Sequence, residues 1–201
     1  MDDVSIALIR VLGVVLLLVL LLAARRSAEV RNSLGKSFSL IVMAVGIVAI
    51  LYRYVLAVFI IPSASMIPTL QIGDRIIVNK LVYRFHPPHF YDIIVFTAPP
   101  SADGGKGDDF VKRVIGTPGD VITIHDGKVY RNGRELCEPF VHRPIRGFLR
   151  TTKVPSGHLF VLGDNRNNSY DSRVWGFLDT RLVIGEVTVI ISPFSRLGYV
   201  Y

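Results

Sequence analysis

The sequence predicts two membrane-spanning helices followed by a mainly β domain, and three observations lead to this prediction. Half of the 201 residues are apolar, and the strongest apolar runs, residues 6–24 and 38–61, both lie near the N-terminus. A basic segment separates these two runs. After residue 70 the pattern changes to short apolar stretches interrupted by turn residues, which is typical of β-strands. We therefore predict a membrane anchor in residues 1–53 and a β-rich domain in residues 54–201.

The first apolar run approaches the roughly 20 residues that a helix needs to cross a bilayer. Arg10 lies near its start, where a long cationic side chain can reach the membrane interface. A cleaved targeting peptide is the alternative, but its first residues are normally basic, whereas this chain begins Met1-Asp2-Asp3. We therefore favour a retained span.

The second apolar run is interrupted by Arg53. We expect a helix that ends near this arginine, followed over residues 54–61 by an extended apolar strand at the membrane surface. Basic residues in the linker between the two runs should remain cytoplasmic by the positive-inside rule. They are Arg25, Arg26, Arg31 and Lys36. The N-terminus and everything after Arg53 then face outward.

Short apolar runs after residue 70 predict the strands of the second domain. Asp126-Gly127 between two such runs predicts a tight hairpin, and residues 98–109, rich in Pro, Gly and Asp, predict a surface loop. The predicted strands are residues 75–85, 92–97, 110–115, 120–125, 128–131, 158–162 and 183–192.

The charge, cysteine and histidine content limits the possible partners. The formal net charge is +7, but the basic residues are scattered and do not alternate with aromatic residues, so we predict no nucleic-acid partner. Attraction to membrane lipid headgroups and an ordinary solvated surface explain the charge equally well. The single cysteine, Cys137, allows no intrachain disulfide. The five histidines lack metal-ligand spacing, so we expect neither a metal site nor a cofactor.

Residues 62–70, which read Pro-Ser-Ala-Ser-Met-Ile-Pro-Thr-Leu, follow the second apolar run directly. Pro62 and Pro68 both prevent a helix from continuing, so Ser65 between them is expected on an irregular, exposed turn. Such a serine is a candidate nucleophile beside a membrane. A polar loop that simply leaves a membrane helix is the alternative from these residues alone.

Three further segments follow in order: residues 73–80 (Gly-Asp-Arg-Ile-Ile-Val-Asn-Lys), residues 109–120 (Asp-Phe-Val-Lys-Arg-Val-Ile-Gly-Thr-Pro-Gly-Asp) and residues 163–173 (Gly-Asp-Asn-Arg-Asn-Asn-Ser-Tyr-Asp-Ser-Arg). Together with residues 62–70 they resemble the four ordered sequence boxes of type I signal peptidases, membrane-bound serine proteases that cut signal peptides from exported proteins. The resemblance implies a signal-peptidase-like complex β fold. It also implies exported preproteins as partners and a catalytic domain on the extracytoplasmic face of the bacterial cytoplasmic membrane.

In this resemblance Ser65 matches the nucleophile and Lys112 the general base. The hydroxyl of Ser63 and the backbone N–H of Ser65 match the oxyanion hole. On a strand, alternation places Phe110, Lys112 and Val114 on one face, and apolar neighbours favour the neutral amine that a base requires. A lysine in such a pattern more often lies at a sheet edge with its amine in solvent. The assignment of Lys112 as the base therefore depends on the resemblance.

Other site residues are also implied by the resemblance. Ser169 matches a serine that hydrogen-bonds and orients the lysine, Asp171 and Arg173 match a charged pair that supports the site, and Asp164 and Arg113 form a second candidate pair. Substrates of the family carry small side chains one and three residues before the cut, which shallow apolar pockets admit. The matching lining is Phe59, Ile61, Met66, Leu70, Phe110 and Val111, although ordinary core packing is an alternative for each.

The chain departs from the family pattern at three positions, and other functions stay open. Asn167 stands where aspartate is usual, Phe110 where tyrosine is frequent, and Tyr91 where glycine commonly precedes Asp92. Another Ser-Lys peptidase, such as a conjugative-pilus peptidase or a self-cleaving repressor, is one alternative, but a repressor needs a DNA-binding domain. A catalytically silent, membrane-anchored β module that binds signal sequences is another.

Overall fold

The computed structural model describes residues 33–50 and 55–200, which belong to two compact units divided after residue 52. One helix, α1 (Ser33–Ile50), is described in the first unit. Many of its apolar side chains, such as Phe38, Ile41 and Val45, are exposed. Within the described ranges no helix is both long and apolar enough to cross a membrane. The first predicted span, residues 6–24, lies outside the described residues, and the two-span arrangement stays a prediction.

The second unit consists mainly of β-strands, as the sequence predicts. Two very short helices, α2 (Pro100–Asp103) and α3 (Ser172–Trp175), lie between strands. The strands are β1 (Leu56–Ile60), β2 (Arg75–Asn79), β3 (Ile93–Thr97), β4 (Asp109–Gly116), β5 (Val121–His125), β6 (Lys128–Arg131), β7 (Arg134–Glu135), β8 (Leu149–Lys153), β9 (His158–Leu162), β10 (Leu178–Asp179), β11 (Val183–Ser192) and β12 (Gly198–Tyr199).

These strands form two antiparallel sheets. The larger has the order β1-β2-β11-β3-β4-β9-β10, with β12 paired to β11, and the smaller has the order β7-β6-β5-β8. In the larger sheet β4 lies between β3 and β9, so its backbone is paired on both sides. A strand in this position is held more firmly than one at an edge.

Most predicted strands are present, but β2 is shorter than the predicted 75–85. It ends at Asn79, whose Oδ1 accepts hydrogen bonds from the backbone N–H groups of Leu81 (3.0 Å) and Val82 (3.2 Å). An asparagine side chain that binds the backbone ahead of it competes with continued strand pairing. The chain therefore turns into the 3₁₀ helix Val82–Arg84.

The apolar strand predicted within residues 54–61 and the predicted hairpin are both present, whereas the position of the strand at the membrane surface stays a prediction. β1 pairs with β2 at the edge of the larger sheet, and its side chains alternate, with Val58 and Ile60 exposed and Phe59 packed against the core. In the hairpin, His125 pairs with Lys128, and the two residues between them have positive φ angles of 51° and 74°. Asp and Gly tolerate this conformation better than other residues, and it suits a two-residue hairpin turn.

Three apolar clusters form the core of this unit, and β4 contributes to them on both faces. Val111 packs against the cluster beneath the Ser65 turn, Ile115 belongs to the cluster between the two sheets, and Val114 packs with the cluster around Trp175. Each fully buried side chain of this size contributes about 1.5–3 kcal/mol to stability. The strand that carries Lys112 is thus anchored over much of its length.

Candidate active site

Ser65 lies in a single turn of 3₁₀ helix, Ala64–Met66, immediately after the extended residue Ser63. The backbone N–H of Leu70 donates to the carbonyl oxygen of Met66 at 2.9 Å and closes the segment behind the turn. The Ile67–Pro68 peptide bond is cis. This local geometry directs the chain away from a regular helix, as the two prolines predict.

Asn165 holds the same turn from another part of the chain. Its backbone N–H donates to the carbonyl oxygen of Ser65 at 3.0 Å, and its side-chain Nδ2 donates to the carbonyl oxygen of Ala64 at 3.0 Å. Asn165 is not among the predicted site residues, because asparagine in a polar segment is adequately explained by local turn formation. In the folded chain it fixes two consecutive peptide groups of the Ser65 turn.

Lys112 on β4 reaches the Ser65 side chain. Its Nζ lies 2.8 Å from Ser65 Oγ and donates to the carbonyl oxygen of Val111 at 3.0 Å. The residue is only 4% exposed, and Nζ lies 5.5 Å from the centre of the Phe110 ring. The two residues that the sequence analysis singles out for chemistry are therefore in direct contact.

Burial makes the amine of Lys112 easier to deprotonate. Desolvation lowers the pKa of Lys112 from 10.5 to about 8, although the nearby carboxylates of Asp171 and Asp164 act in the opposite direction. At pH 7 a pKa of about 8 leaves roughly a tenth of the amine neutral, whereas an ordinary lysine would be almost fully charged. The environment thus favours the form that can accept a proton.

Ser63 and Ser169 both line the groove that contains Ser65 and Lys112, but they are arranged differently. Ser63 Oγ lies 3.3 Å from Ser65 Oγ. Ser169 Oγ is buried and has no hydrogen-bond partner within the described part of the chain. The expected hydrogen bond from Ser169 to Lys112 is therefore not present, because the carbonyl oxygen of Val111 and Ser65 Oγ are the partners of Nζ.

Asp164 and Arg113 form the predicted ion pair, and it connects three parts of the site. Arg113 donates to Asp164 through Nε (2.9 Å) and Nη2 (2.8 Å), and both side chains are almost completely buried. Thr69, in the segment after Ser65, also donates to Asp164. Since Arg113 follows Lys112 on β4, a single carboxylate links the lysine strand to the serine segment.

Asp171 and Arg173 form the other predicted ion pair. Arg173 contacts the fully buried Asp171 through Nε and Nη2, each at 2.8 Å. Asp171 also accepts a hydrogen bond from the backbone N–H of Gly163 at 3.2 Å. The pair holds residues 163–173 together and keeps Ser169 beside Gly163. Because Gly163 has no side chain, Ser65 and Ser169 can both lie close to its backbone.

A third ion pair, between Arg166 and Glu138, is not predicted by the sequence. Arg166 is only 2% exposed, and its Nη1 and Nη2 donate to the two carboxylate oxygens of Glu138 at 2.6 and 2.7 Å. Its Nε donates to the carbonyl oxygen of Gly163 at 3.1 Å. No local signal identifies Glu138 as a partner, because 28 residues separate it from Arg166.

The groove around Ser65 and Lys112 has a volume of about 730 Å³. It lies between residues 61–66, residues 108–112 and residues 167–170. Among the predicted substrate-binding residues, those that line the groove are Ile61, Met66, Phe110 and Val111.

The two other predicted substrate-binding residues do not line this groove. Leu70 is fully buried in the core, because the closed turn behind Ser65 directs it inward. Phe59 packs against the same core from β1. For these two residues the ordinary packing alternative agrees with the structure. Among residues 33–50 and 55–200, no cluster of His, Cys, Asp and Glu side chains could hold a metal ion.

A comparison with known protein families identifies one that matches most of this chain. The sequence model of the family described as "Signal peptidase, peptidase S26" covers residues 34–192. The chain belongs to the signal peptidase family. It is therefore a serine endopeptidase that removes signal peptides from preproteins, and its mainly β domain is the catalytic domain of that family.

Individual signal peptidases are similar to this chain over most of their length. The chain is 45% identical to "Probable signal peptidase I-1" of Synechocystis sp. over 79% of this chain and 83% of that protein. It is 44% identical to "Signal peptidase I" of Leptolyngbya laminosa over 69% of this chain and 70% of that protein. It is 38% identical to "Signal peptidase I" of Bacillus caldolyticus over 78% and 91% of the two chains.

Tyr91, where the resemblance leads us to expect glycine, has contacts that explain its conformation. Its φ angle is 74°, a left-handed conformation that glycine adopts more readily than tyrosine. Its ring contacts Phe140 edge to face at 5.2 Å between centroids, and its hydroxyl donates to the carbonyl oxygen of Cys137 at 2.8 Å. Burial raises the pKa of Tyr91 to about 12. These contacts offset backbone strain of about 1–3 kcal/mol.

Asn167, a second departure from the signal peptidase pattern, makes two hydrogen bonds that need an amide. Its Oδ1 accepts from the backbone N–H of Arg146 at 2.8 Å, and its Nδ2 donates to the carbonyl oxygen of Pro144 at 2.9 Å. An ionised aspartate could accept but could not donate. In this signal peptidase the amide therefore joins the site to residues 144–146.

Proposed function

We propose that Ser65 and Lys112 form a catalytic dyad that cleaves preproteins through an acyl-enzyme. The contact of 2.8 Å between Lys112 Nζ and Ser65 Oγ carries the proposal. A serine hydroxyl becomes an effective nucleophile when an adjacent base removes its proton, and the buried, pKa-lowered amine of Lys112 supplies such a base. The hydrogen bond to Val111 holds Nζ beside Ser65 Oγ, where the neutral amine can accept the serine proton.

The reaction then proceeds in two stages. Lys112 accepts the Ser65 proton as Oγ attacks the scissile carbonyl carbon, and the resulting ammonium returns a proton to the leaving amine. Lys112 next accepts a proton from a water molecule as its oxygen attacks the acyl carbon. The resulting ammonium then gives that proton to Ser65 Oγ as the acyl–Oγ bond breaks, which releases the carboxylic acid product and restores both the serine hydroxyl and the neutral amine.

The oxyanion of each stage is assigned to the Ser63 hydroxyl and the backbone N–H of Ser65. The position of Ser63 Oγ, 3.3 Å from Ser65 Oγ, supports this assignment. One such donor contributes about 3–4 kcal/mol to transition-state stabilisation.

Cleavage of an exported preprotein by the purified full chain in detergent tests the proposal directly. The expected result is a mature product whose new N-terminus follows a small residue at the cut, with another small residue two positions before it. The apolar lining of the groove by Ile61, Phe110 and Val111 supports this choice of substrate. Intact preprotein after prolonged incubation with folded enzyme would contradict the proposed function.

The pH dependence of cleavage should report the titration of Lys112. Below pH 8 the amine is increasingly protonated and cannot act as a base, so kcat/KM should rise about tenfold per pH unit up to about 8 and then level off. Initial rates on one preprotein across the pH range would measure this limb. An apparent pKa near the ordinary histidine value of about 6.5 would point to a different base.

Ser169 is proposed to accept a hydrogen bond from the Lys112 ammonium once the proton has been transferred. The buried hydroxyl, without a partner in the described residues, supports this role. Ser169→Ala should lower kcat about tenfold to a hundredfold with little change in KM. It should not lower the melting temperature, because it removes an unsatisfied polar group. Unchanged turnover, measured by steady-state kinetics, would leave Ser169 without a role in catalysis.

We propose that residues 1–53 form a membrane anchor with two spans. Residues 54–201 then lie on the extracytoplasmic face, in contact with lipid. The two apolar runs and the basic linker between them support this topology. A reporter fused after Gly35 should be cytoplasmic, whereas one fused after Tyr201 should be exported. Both fusions on the same side of the membrane would contradict the arrangement.

A further inference from the structure

A second, smaller cavity adjoins the active-site groove. Its volume is about 290 Å³, and Asn167 and Ser169 belong to the walls of both cavities. Its other polar lining comes from three arginines, Arg146, Arg166 and Arg173. Among residues 33–50 and 55–200, no acidic side chain lines it. The cavity is therefore positively charged and opens beside the proposed dyad.

The three arginines differ in whether their charge is already balanced. Arg166 is paired with Glu138, and Arg173 is paired with Asp171. Arg146 is exposed, and among the described residues no carboxylate forms an ion pair with it; its backbone N–H donates to Asn167 Oδ1. The excess positive charge of the cavity thus resides on Arg146, and Asn167 fixes the position of its backbone.

Asn167 also determines the charge of the wall between the two cavities. Because this residue is an amide, the shared wall is uncharged at this point, and its hydrogen bonds to residues 144 and 146 hold the Arg146 segment against the groove. A carboxylate here would place a negative charge beside Arg146 and would oppose the binding of another anion.

The position of the cavity indicates which part of a substrate can reach it. The apolar lining of the groove, which includes Ile61, Phe110 and Val111, suits the small residues before the cut. If the residues before the cut occupy this apolar wall, the chain beyond Ser65 and Lys112 would follow residues 167–170, the polar wall of the groove. That wall leads directly to the cationic cavity.

We propose that the cavity beside Asn167 binds a carboxylate side chain in the mature part of the preprotein, shortly after the scissile bond, and that Arg146 is its charged partner. The inference rests on the proposed function and deepens it, since it assigns a specificity site on the far side of the cut. An exposed arginine–carboxylate pair is modest in strength and sensitive to salt.

Pairs of preproteins that differ only by Asp or Asn at one position after the scissile bond test the assignment. With the full chain in neutral detergent, kcat/KM should favour Asp about twofold to fivefold at one position. The preference should decrease as salt is added. Arg146→Gln should remove the preference, and Arg146→Glu should reverse it. Because each ratio is taken within one enzyme preparation, partial misfolding of a variant does not affect it.

Arg150→Glu is the matched control, because Arg150 is also exposed but lies on β8 outside both cavities. It should keep the preference of the wild type. The inference would be overturned if Arg146→Glu showed the same preference as the wild type, or if the wild type showed no preference at any position. Either result would leave the proposed function intact. Failure of the wild type to cleave either substrate would instead overturn the proposed function.

A lipid phosphate is the other anion that this cavity could meet. If Arg146→Glu lowered cleavage of both substrates equally, and only in the presence of phosphatidylglycerol vesicles, the cavity would be a lipid site and the peptide assignment would be wrong.

Discussion

Ser65→Ala and Lys112→Met should each lower the cleavage of a preprotein by at least roughly a thousandfold, because each removes one member of the proposed dyad. Methionine fills most of the space of the buried lysine without supplying a base, so the packing of β4 should be preserved. Rates are measured on purified enzyme with one preprotein, and circular dichroism checks the fold.

Two exposed residues provide matched controls for these variants. Ser156→Ala removes a serine hydroxyl and Lys153→Met removes a lysine amine outside the groove, and both should keep the wild-type rate. Substantial cleavage by Lys112→Met would show that another group removes the Ser65 proton. Loss of activity in the controls as well would indicate a general effect on the fold.

Gly163→Ala should lower kcat roughly a hundredfold or more through the position of the nucleophile. A methyl group at this site would collide with the carbonyl oxygen of Ser65 and would lie 2.6 Å from Ser169 Cβ. The backbone of the Ser65 turn would have to move, and displacements of about 1 Å in an active site can cost a factor of a hundred in rate. Steady-state kinetics and thermal unfolding would measure the two consequences separately.

Gly185→Ala is a matched control for steric conflict alone. Its methyl group would meet the backbone of Asn79, with 2.9 Å to the carbonyl carbon, where β11 passes β2 and away from the groove. It should lower the melting temperature but leave kcat of the folded enzyme unchanged. Equal losses of kcat in the two variants would show that Gly163 acts through stability and not through Ser65.

Sequence patterns predict most of the longer strands, and the resemblance predicts the two residues that meet at the site, whereas β7, β8, β10 and β12 are not predicted. β11 occupies the predicted range because β-branched residues, which favour strands, predominate in it, and the Asp126-Gly127 turn determines the register of the hairpin between β5 and β6. The resemblance to signal peptidases brings Ser65 and Lys112 together as candidates. Alternation along β4 does not explain the burial of Lys112, because Arg113 on the opposite face is buried as well; the position of β4 inside the larger sheet explains it.

Contacts that depend on the path of irregular segments could not be predicted in the same way. Asn165 supports the Ser65 turn through hydrogen bonds that span about a hundred residues of sequence. An apolar residue such as Leu70 is equally suited to a substrate pocket and to the core. Its burial in the core results from the closed turn behind Ser65. The missing hydrogen bond of Ser169 likewise depends on side-chain rotamers, which sequence patterns do not specify.

The amide of Asn167 has an evolutionary consequence. The residues proposed for chemistry, Ser65 and Lys112, belong to the larger sheet and its connections, whereas residues 144–146 precede β8 of the smaller sheet and meet the site through Asn167. Substitutions of the exposed Arg146 should therefore leave proton transfer undisturbed, whereas Ile145 is buried in the core. Duplicated copies of such an enzyme could diverge in the set of exported proteins that they process while retaining one reaction mechanism.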